Sequence, residues 1–267
     1  MAIKLDMAKA YDRVEWDAVM EILKRLGFCD KWLQMIHQCI ATFQFSVLIN
    51  GCPQGCFQAS RGIRQGNPLS PYLFIILSEA LSRCLIKAEN LKLISGLKAS
   101  KDAPSINHLL YADDLILFSK ATKEESENLL KIVKVYCRAT GQAVNFGKSA
   151  MFSIPNVHAQ HQMFLREMWG VKKFSDGEKY LGTPIMLGKN KSDTFQYLVE
   201  KMQKRVSGRK AKVLSLAGRN VLINTVAKSI HVYAMSTYKL PVSICDKLEN
   251  ICRDFWWQGS LDSNSVY

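Results

Sequence analysis

Leu109-Leu110-Tyr111-Ala112-Asp113-Asp114-Leu115-Ile116-Leu117-Phe118 is the stretch on which the reading of this chain turns. Apolar residues fill both flanks, and two adjacent aspartates interrupt them. The pattern predicts two strands joined by a tight acidic turn. Crowded, partly desolvated carboxylates repel each other and take up protons unless a cation lies between them. A hard divalent ion resolves that conflict. Magnesium prefers oxygen donors, commonly one or two carboxylates plus a substrate phosphate. By itself the aromatic-x-Asp-Asp tetrad carries little weight, since ordinary residue frequencies place one by chance in roughly one chain in twenty of this length. An acidic hairpin turn is the plainer alternative.

A third acid shifts the balance. Ala2 to Asp6 alternates, with Ile3 and Leu5 on one side, and reads as a short strand ending at an aspartate. If that strand lies beside the hairpin, Asp6 and Asp113 share two metal ions about 3.5–4 Å apart. Asp114 then supports the cluster or ligates less directly. Asp12 falls at a strand-to-helix junction and reads as a structural partner.

The pattern further out is mixed. Val19, Ile22, Leu23 and Leu26 mark a helix stopped by Gly27. Asp30 is placed to cap a second helix carrying Leu33, Ile36 and Ile40. Phe45 to Ile49 is strand-like, and Asn50-Gly51 is a turn signal. Ser70-Pro71 puts an N-cap before a proline, ahead of a helix through Leu73, Ile76, Leu77, Ala80, Leu81 and Cys84. Thr122 and Glu125 spell a capping box for a helix that stops at Gly141. Met151 to Ser153 and Lys179 to Leu187 look like strands. From Ser192 onward the pattern is mainly helical, with Gly218 and Pro241 as breaks. This order predicts a compact α+β domain over residues 1–188 and a helical region over 189–267, with Gly188 to Ser192 as the boundary.

The 267 residues are 48% hydrophobic and carry a formal net charge of +13. That composition excludes intrinsic disorder and low-complexity repeats. The longest apolar run, Tyr72 to Leu77, is too short to span a bilayer, and the N-terminus lacks the pattern of a secretion signal, so we expect no membrane contact. The eight cysteines include no Cys-x-x-Cys pair and no zinc-finger spacing. They read as reduced thiols of an intracellular protein. Lys189 to Lys228 holds ten basic residues against two acids, more than half of the surplus. Phe195, Leu198, Val199, Met202 and Val206 form the apolar face of a helix there, with Lys201, Lys204, Arg205, Arg209 and Lys212 on an adjacent stripe. A basic stripe is often only a solvated face. Against a nucleic acid it would track phosphates and gain affinity by counterion release.

Leu5 to Trp16 resembles the first palm motif of reverse transcriptases, in the form of the non-LTR (LINE-type) retrotransposon branch abundant in plant genomes. Arg61 to Pro71 resembles the second motif, Tyr111 to Asp114 the third, and Gly141 to Ser149 the fourth. Tyr180-Leu181-Gly182 resembles the primer grip. Leu214 to Arg219 and Phe255-Trp256-Trp257 resemble the thumb and the region after it. The resemblance covers nearly the whole chain, in order.

The resemblance implies a palm, a ferredoxin-like antiparallel sheet with helices on one face, followed by a helical thumb. It implies an RNA-directed DNA polymerase that joins a deoxynucleoside triphosphate to a primer 3′-hydroxyl on an RNA template. Asp6, Asp113 and Asp114 match the catalytic, metal-holding carboxylates, with two Mg2+ ions, or Mn2+ in their place. Tyr11 matches the steric gate that excludes a ribose 2′-hydroxyl. Arg64, Gln65 and Gly66 match the loop lining the nucleotide pocket, where glycine lets the backbone approach closely. Lys148 matches a lysine that protonates the leaving pyrophosphate. Tyr180, Leu181 and Gly182 would hold the primer end. A nuclear location goes with the family.

Departures qualify this. The motifs begin four residues into the chain, and Lys4 is the only basic residue before Asp6. The basic fingers region that precedes this motif in the family is expected to be missing, which predicts weak or no polymerase activity for the isolated chain. The alternative is a non-catalytic nucleic-acid-binding remnant of a retrotransposon that uses the Lys189–Lys228 stripe. Maturase-like intron proteins share a related palm but match the thumb less well.

Overall fold

A computed structural model describes residues 1–258 except 155, 176, 177, 189 and 208–212. The chain divides into two compact units, Met1–Phe174 and Ser175 onward. The division falls upstream of Gly188, so the Tyr180–Gly182 segment lies in the second unit.

The first unit runs β1 (Ala2–Asp6), α1 (Trp16–Arg25), α2 (Asp30–Ala41), β2 (Gln44–Ile49), β3 (Cys52–Gln58), α3 (Ser70–Asn90), β4 (His108–Tyr111), β5 (Asp114–Phe118), α4 (Lys123–Thr140), β6 (Ala150–Phe152), α5 (Ala159–Trp169) and β7 (Lys172–Lys173). Its architecture is α+β. Alternation along β1 buries Ile3 and Leu5 completely, opposite Leu117 and Leu115 of β5. Directly opposed residues of an antiparallel pair share a face. These four therefore point to one side, where α1, α3 and α4 close a single core. Each fully buried leucine or isoleucine contributes roughly 1.5–3 kcal/mol before entropy. Leu73, Leu77, Leu81 and Leu85 recur at helical spacing and put one stripe of α3 into that core.

The five-stranded sheet has the order β4-β5-β1-β6-β7. It is mixed, which corrects the purely antiparallel expectation. β6 and β7 pair in parallel, Ala150 with Lys172 and Met151 with Lys173. The reason is the connection: α5 carries the chain back across, so β7 enters in the direction of β6.

Several local signals act differently from their sequence reading. Ser70 begins α3 but caps nothing; its buried hydroxyl donates to the Arg64 carbonyl at 2.7 Å. Asp30 lies inside α2, after Cys29. Thr122 does cap α4, accepting from the Glu125 N–H at 3.3 Å. The Glu125 carboxylate turns instead to Ser95 and to the Lys120 N–H. Asn50 and Gly51 both take positive φ, the geometry of a two-residue hairpin between β2 and β3.

His108 joins β4 to α3. One ring nitrogen meets Asn107 and the other meets Ser82 Oγ at 2.9 Å. Burial lowers its pKa below the ordinary histidine value, against the opposing pull of Glu79 and Glu89. The unfolded chain takes up this proton near pH 6.5, whereas the folded chain resists it. His108 thus contributes stability that is complete above about pH 6.5 and is lost as pH falls below it. Melting by circular dichroism should show a lower Tm at pH 5.5 than at pH 7.5. His108→Gln should flatten that difference, and an unchanged slope would remove His108 from the account.

The second unit begins with a hairpin of β8 (Lys179–Tyr180) and β9 (Thr183–Pro184). Then come α6 (Lys191–Val206), α7 (Leu216–Leu222), a π-helical turn over Ile223–Ala227, α8 (Ser229–Thr237) and α9 (Val242–Gln258). Phe195, Leu198, Val199, Met202 and Val206 are all buried, as their spacing predicts, and pack with Ile244, Leu248 and Phe255 of α9. Gly218 is no break: it lies within α7, whose N-cap Ser215 accepts from its N–H at 3.3 Å. Pro241 does separate α8 from α9. Among the described residues no helix is long and apolar enough to cross a membrane.

Candidate active site

The hairpin predicted from Leu109–Phe118 forms as β4 and β5, and its turn is Ala112-Asp113. Ala112 holds φ 52°, a left-handed conformation that costs a non-glycine residue of order 1 kcal/mol. β1 lies on the other side of β5, and its register pairs Asp6 directly with Asp114. The two side chains therefore leave the same face, opposite the one carrying Leu5 and Leu115. Asp113 follows in the adjoining turn. Asp6 and the Asp113-Asp114 pair, distant in sequence, thus lie at one end of the sheet.

Their mutual influence is electrostatic. Burial raises the Asp114 carboxyl above the usual carboxylate range; Lys4 opposes this, and the charges of Asp113 and Asp6 add to it. A divalent cation would relieve that cost. The donor set is all oxygen, which suits magnesium or manganese and not a thiolate-seeking metal. Among the described residues no group of three or more acidic, histidine or cysteine side chains is placed to hold a metal ion. An open cluster still fits magnesium, which takes one or two carboxylates and completes its shell with water and substrate phosphate.

Tyr11 stacks on Phe74, with ring centroids 5.1 Å apart and planes 7° from parallel. Burial raises its phenol pKa, and the negative charge of Asp113 raises it further. Two backbone bonds hold its loop to the second motif: Gly62 N–H to the Val14 carbonyl at 2.8 Å, and Ile63 N–H to the Tyr11 carbonyl at 2.9 Å. The close-approach glycine here is Gly62, where a Cβ would lie 2.9 Å from the Asp12 carbonyl oxygen. Gly66 has φ 84°, with no protein atom within 4 Å of where a Cβ would stand. Arg64 and Gln65 line a cavity of about 470 Å3 with Asp12, and the Arg64 guanidinium sits 5.9 Å from the Phe43 ring centroid.

Lys148 is exposed, on a turn fastened to β1. Asn145 N–H donates to the Asp6 carbonyl at 2.8 Å, and Asp6 N–H donates to Ser149 Oγ at 3.2 Å. The Ser149 hydroxyl donates in turn to the Asn145 carbonyl at 2.8 Å. Ser149 is 1% exposed. Sequence reading gave no separate role to this residue or to Phe74. The one available signal was a serine between a turn and an apolar strand. Ser149→Ala removes both side-chain bonds and leaves the Asp6 N–H unpaired, a loss of about 1–3 kcal/mol. It should lower Tm by several degrees, whereas Ser149→Thr should lose less. Equal melting of Ser149→Ala and the parent would contradict the anchoring role.

In the second unit Leu181 and Gly182 form the β8–β9 turn, both with positive φ. They line a cavity of about 270 Å3 with Tyr197, Lys201 and Arg205. Lys179 caps the Tyr197 ring, its Nζ 3.6 Å from the centroid. Tyr180 is half-buried at the end of β8. The predicted primer-grip turn and part of the predicted basic stripe therefore come together. Lys204 is exposed but does not line the cavity. Arg209 and Lys212 lie outside the described residues.

Residues 1–200 match the family described as reverse transcriptase (RNA-dependent DNA polymerase). The chain is 27% identical over 262 residues to the transposon TX1 uncharacterized 149 kDa protein of Xenopus laevis, covering 96% of this chain and 19% of that one. It is 26% identical over 192 residues to the Pol polyprotein of the type-1 retrotransposable element R2 of Popillia japonica, covering 67% of this chain and 30% of that one. It is 48% identical over 75 residues to the uncharacterized mitochondrial protein AtMg01250 of Arabidopsis thaliana, covering 28% of this chain and 62% of that one. The chain thus spans less than two thirds of each of these relatives. With its motifs in order over three quarters of its length, the chain belongs to the reverse transcriptase family, in its LINE-type, non-LTR retrotransposon branch.

Proposed function

We propose that the first unit is the palm and the second the thumb of an RNA-directed DNA polymerase, which adds a deoxynucleotide to a primer 3′-hydroxyl on an RNA template. The observation that carries this reading is the Asp6–Asp114 pairing with Asp113 in the adjoining turn. Asp6 and Asp113, supported by Asp114, would hold two magnesium ions, or manganese in their place. Bound there, the ions supply charge stabilisation for the primer oxygen and for the departing pyrophosphate. Tyr11, held flat against Phe74, presents a fixed ring to the sugar and excludes a 2′-hydroxyl. Arg64, Gln65 and Gly66 orient the incoming nucleotide. Lys148, on its anchored turn, gives a proton to pyrophosphate. Tyr180, Leu181 and Gly182 hold the primer end. Lys201 and Arg205 neutralise backbone phosphates beside that turn, with Lys204, Arg209 and Lys212 extending the basic surface.

Primer extension on an RNA template with magnesium tests this. Extension, expected to be weak in this chain, should rise above background, stop with a chelator, and admit ribonucleotides more readily in Tyr11→Ala. A second reading, nucleic-acid binding without catalysis, is favoured by the joining of Lys201 and Arg205 to the Leu181-Gly182 turn. Binding with no metal-dependent extension would favour that reading over the first. In either case Lys201→Ala/Arg205→Ala should weaken binding to an RNA–DNA hybrid. The slope of log affinity against log salt should fall by about 2, one for each lost phosphate contact. An unchanged slope would make the pair ordinary solvated charges.

A further inference from the structure

Resting on the reading of the Leu181-Gly182 turn as the element that holds the primer end, we propose that Lys179 and Tyr197 are positioning residues for it. Lys179 gives its charge to the Tyr197 ring and not to a phosphate, and the pair fixes the turn beside Lys201 and Arg205. β8 and β9 have two residues each. Even a full two-stranded hairpin is only marginally stable in water, and this one is shorter. Its turn adds a cost, because Leu181 holds φ 51°, a left-handed conformation disfavoured for a residue with a Cβ. Within the hairpin, Thr183 Oγ1 donates to the Tyr180 carbonyl at 3.0 Å and the Ile185 N–H donates to the Glu178 carbonyl at 3.1 Å.

Support also comes from the helical part of the unit, with one contact to each strand. On β8, the Lys179 ammonium stands 3.6 Å from the centroid of the Tyr197 ring, which α6 carries. On β9, the Pro184 carbonyl accepts from the Tyr238 hydroxyl at 2.7 Å. The Tyr238 ring lies 5.7 Å from that of Phe195, which is fully buried on α6. Both strands are thereby tied to the helix that bears the basic residues. Tyr197, Lys201 and Arg205 follow one another at intervals of four and so share one side of α6. All three line the cavity with Leu181 and Gly182. Where the lysine meets the ring therefore sets the distance of the turn from both cations. An ammonium over a ring face is attracted by the ring quadrupole, and this attraction is indifferent to the tyrosine hydroxyl.

Hydrogen exchange and binding to an RNA–DNA hybrid, both on the full chain, test this. Without nucleic acid, amide exchange over residues 179–185 should quicken about three- to tenfold in Lys179→Met and in Tyr197→Leu. Tyr197→Phe keeps the ring face and should exchange like the parent. Tyr238→Phe removes only the hydroxyl and should quicken exchange through β9. Hybrid affinity should fall by a similar factor in Lys179→Met and Tyr197→Leu, and the double variant should lose no more than either alone. The slope of log affinity against log salt should stay at the parent value in Lys179→Met, since no phosphate contact is removed. Lys179 is exposed, so Lys179→Met keeps the test open if a Tyr197 variant fails to fold. A slope reduced by about 1 in Lys179→Met would make the lysine a phosphate contact and overturn the proposal. Additive losses in the double variant, or equal losses in Tyr197→Phe and Tyr197→Leu, would overturn it too. Unchanged exchange would refute the clamp itself. Quickened exchange with undiminished hybrid affinity would instead refute the reading of the turn as the primer-holding element.

Discussion

Asp6→Asn and Asp113→Asn are each expected to lower metal-dependent extension of a DNA primer on an RNA template by about 100- to 1,000-fold or more, equivalent to roughly 3–4 kcal/mol of transition-state stabilisation. Asparagine keeps the shape and removes the anionic donor, so the loss falls on catalysis. Phosphoryl transfer has little covalent work for the protein and depends on positioning and charge neutralisation. A neutral amide supplies neither at a magnesium site. Hybrid binding and Tm should stay close to those of the parent, because Asp6 is half-buried on the open face and Asp113 is exposed in a turn. A parallel loss of folding would show that the carboxylates act structurally. Undiminished extension in both variants would show that they do not act at all.

Gly141→Ala should cost about 3–4 kcal/mol and lower Tm by about 10 °C. Gly141 ends α4 in the left-handed conformation, at φ 77°. A Cβ there would overlap the Arg13 carbonyl oxygen and crowd the Glu15 side chain. The approach is close because the end of α4 is bonded to the Tyr11–Glu15 loop. Glu15 N–H donates to the Thr140 carbonyl at 3.1 Å, and Arg13 Nε donates to the Gly141 carbonyl at 3.0 Å. Gly170 is the internal control. It ends α5 at φ 63°, with nothing within 4 Å of a Cβ. Gly170→Ala should therefore lose only the backbone preference, about 1 kcal/mol. Similar losses at the two positions would mean that the contact with Arg13 contributes nothing. The loop that Gly141 supports also carries Tyr11, so Gly141→Ala should disturb nucleotide selection at temperatures where the chain remains folded.

What was legible in the sequence had local causes. The apolar face of α6 could be read because five residues repeat at helical spacing and all five are buried. β1 could be read from Ile3 and Leu5. The acidic hairpin turn could be read because paired acids interrupt the apolar strands around them. Elements whose causes lie elsewhere were missed. β3 is exposed along its whole length, so it shows no alternation. α5 buries only Leu165 and Trp169 of its eleven residues, too thin a stripe to register. β7 is two residues long and exists through its parallel partner. Ser149 was not legible either, because its bond to Asp6 spans 143 positions of sequence. The grouping of Lys201 and Arg205 with the Leu181-Gly182 turn likewise depends on packing that no spacing rule encodes.

The central claim is that Asp6, Asp113 and Asp114 form a magnesium-type site for nucleotidyl transfer. Titration with Mn2+, followed by electron paramagnetic resonance in the presence of primer, RNA template and a non-hydrolysable deoxynucleoside triphosphate analogue, tests it most directly. The prediction is two bound ions per chain, displaced by excess magnesium and lost in Asp113→Asn. Equal Mn2+ binding by the parent and Asp113→Asn, or no bound Mn2+ in either, would contradict it.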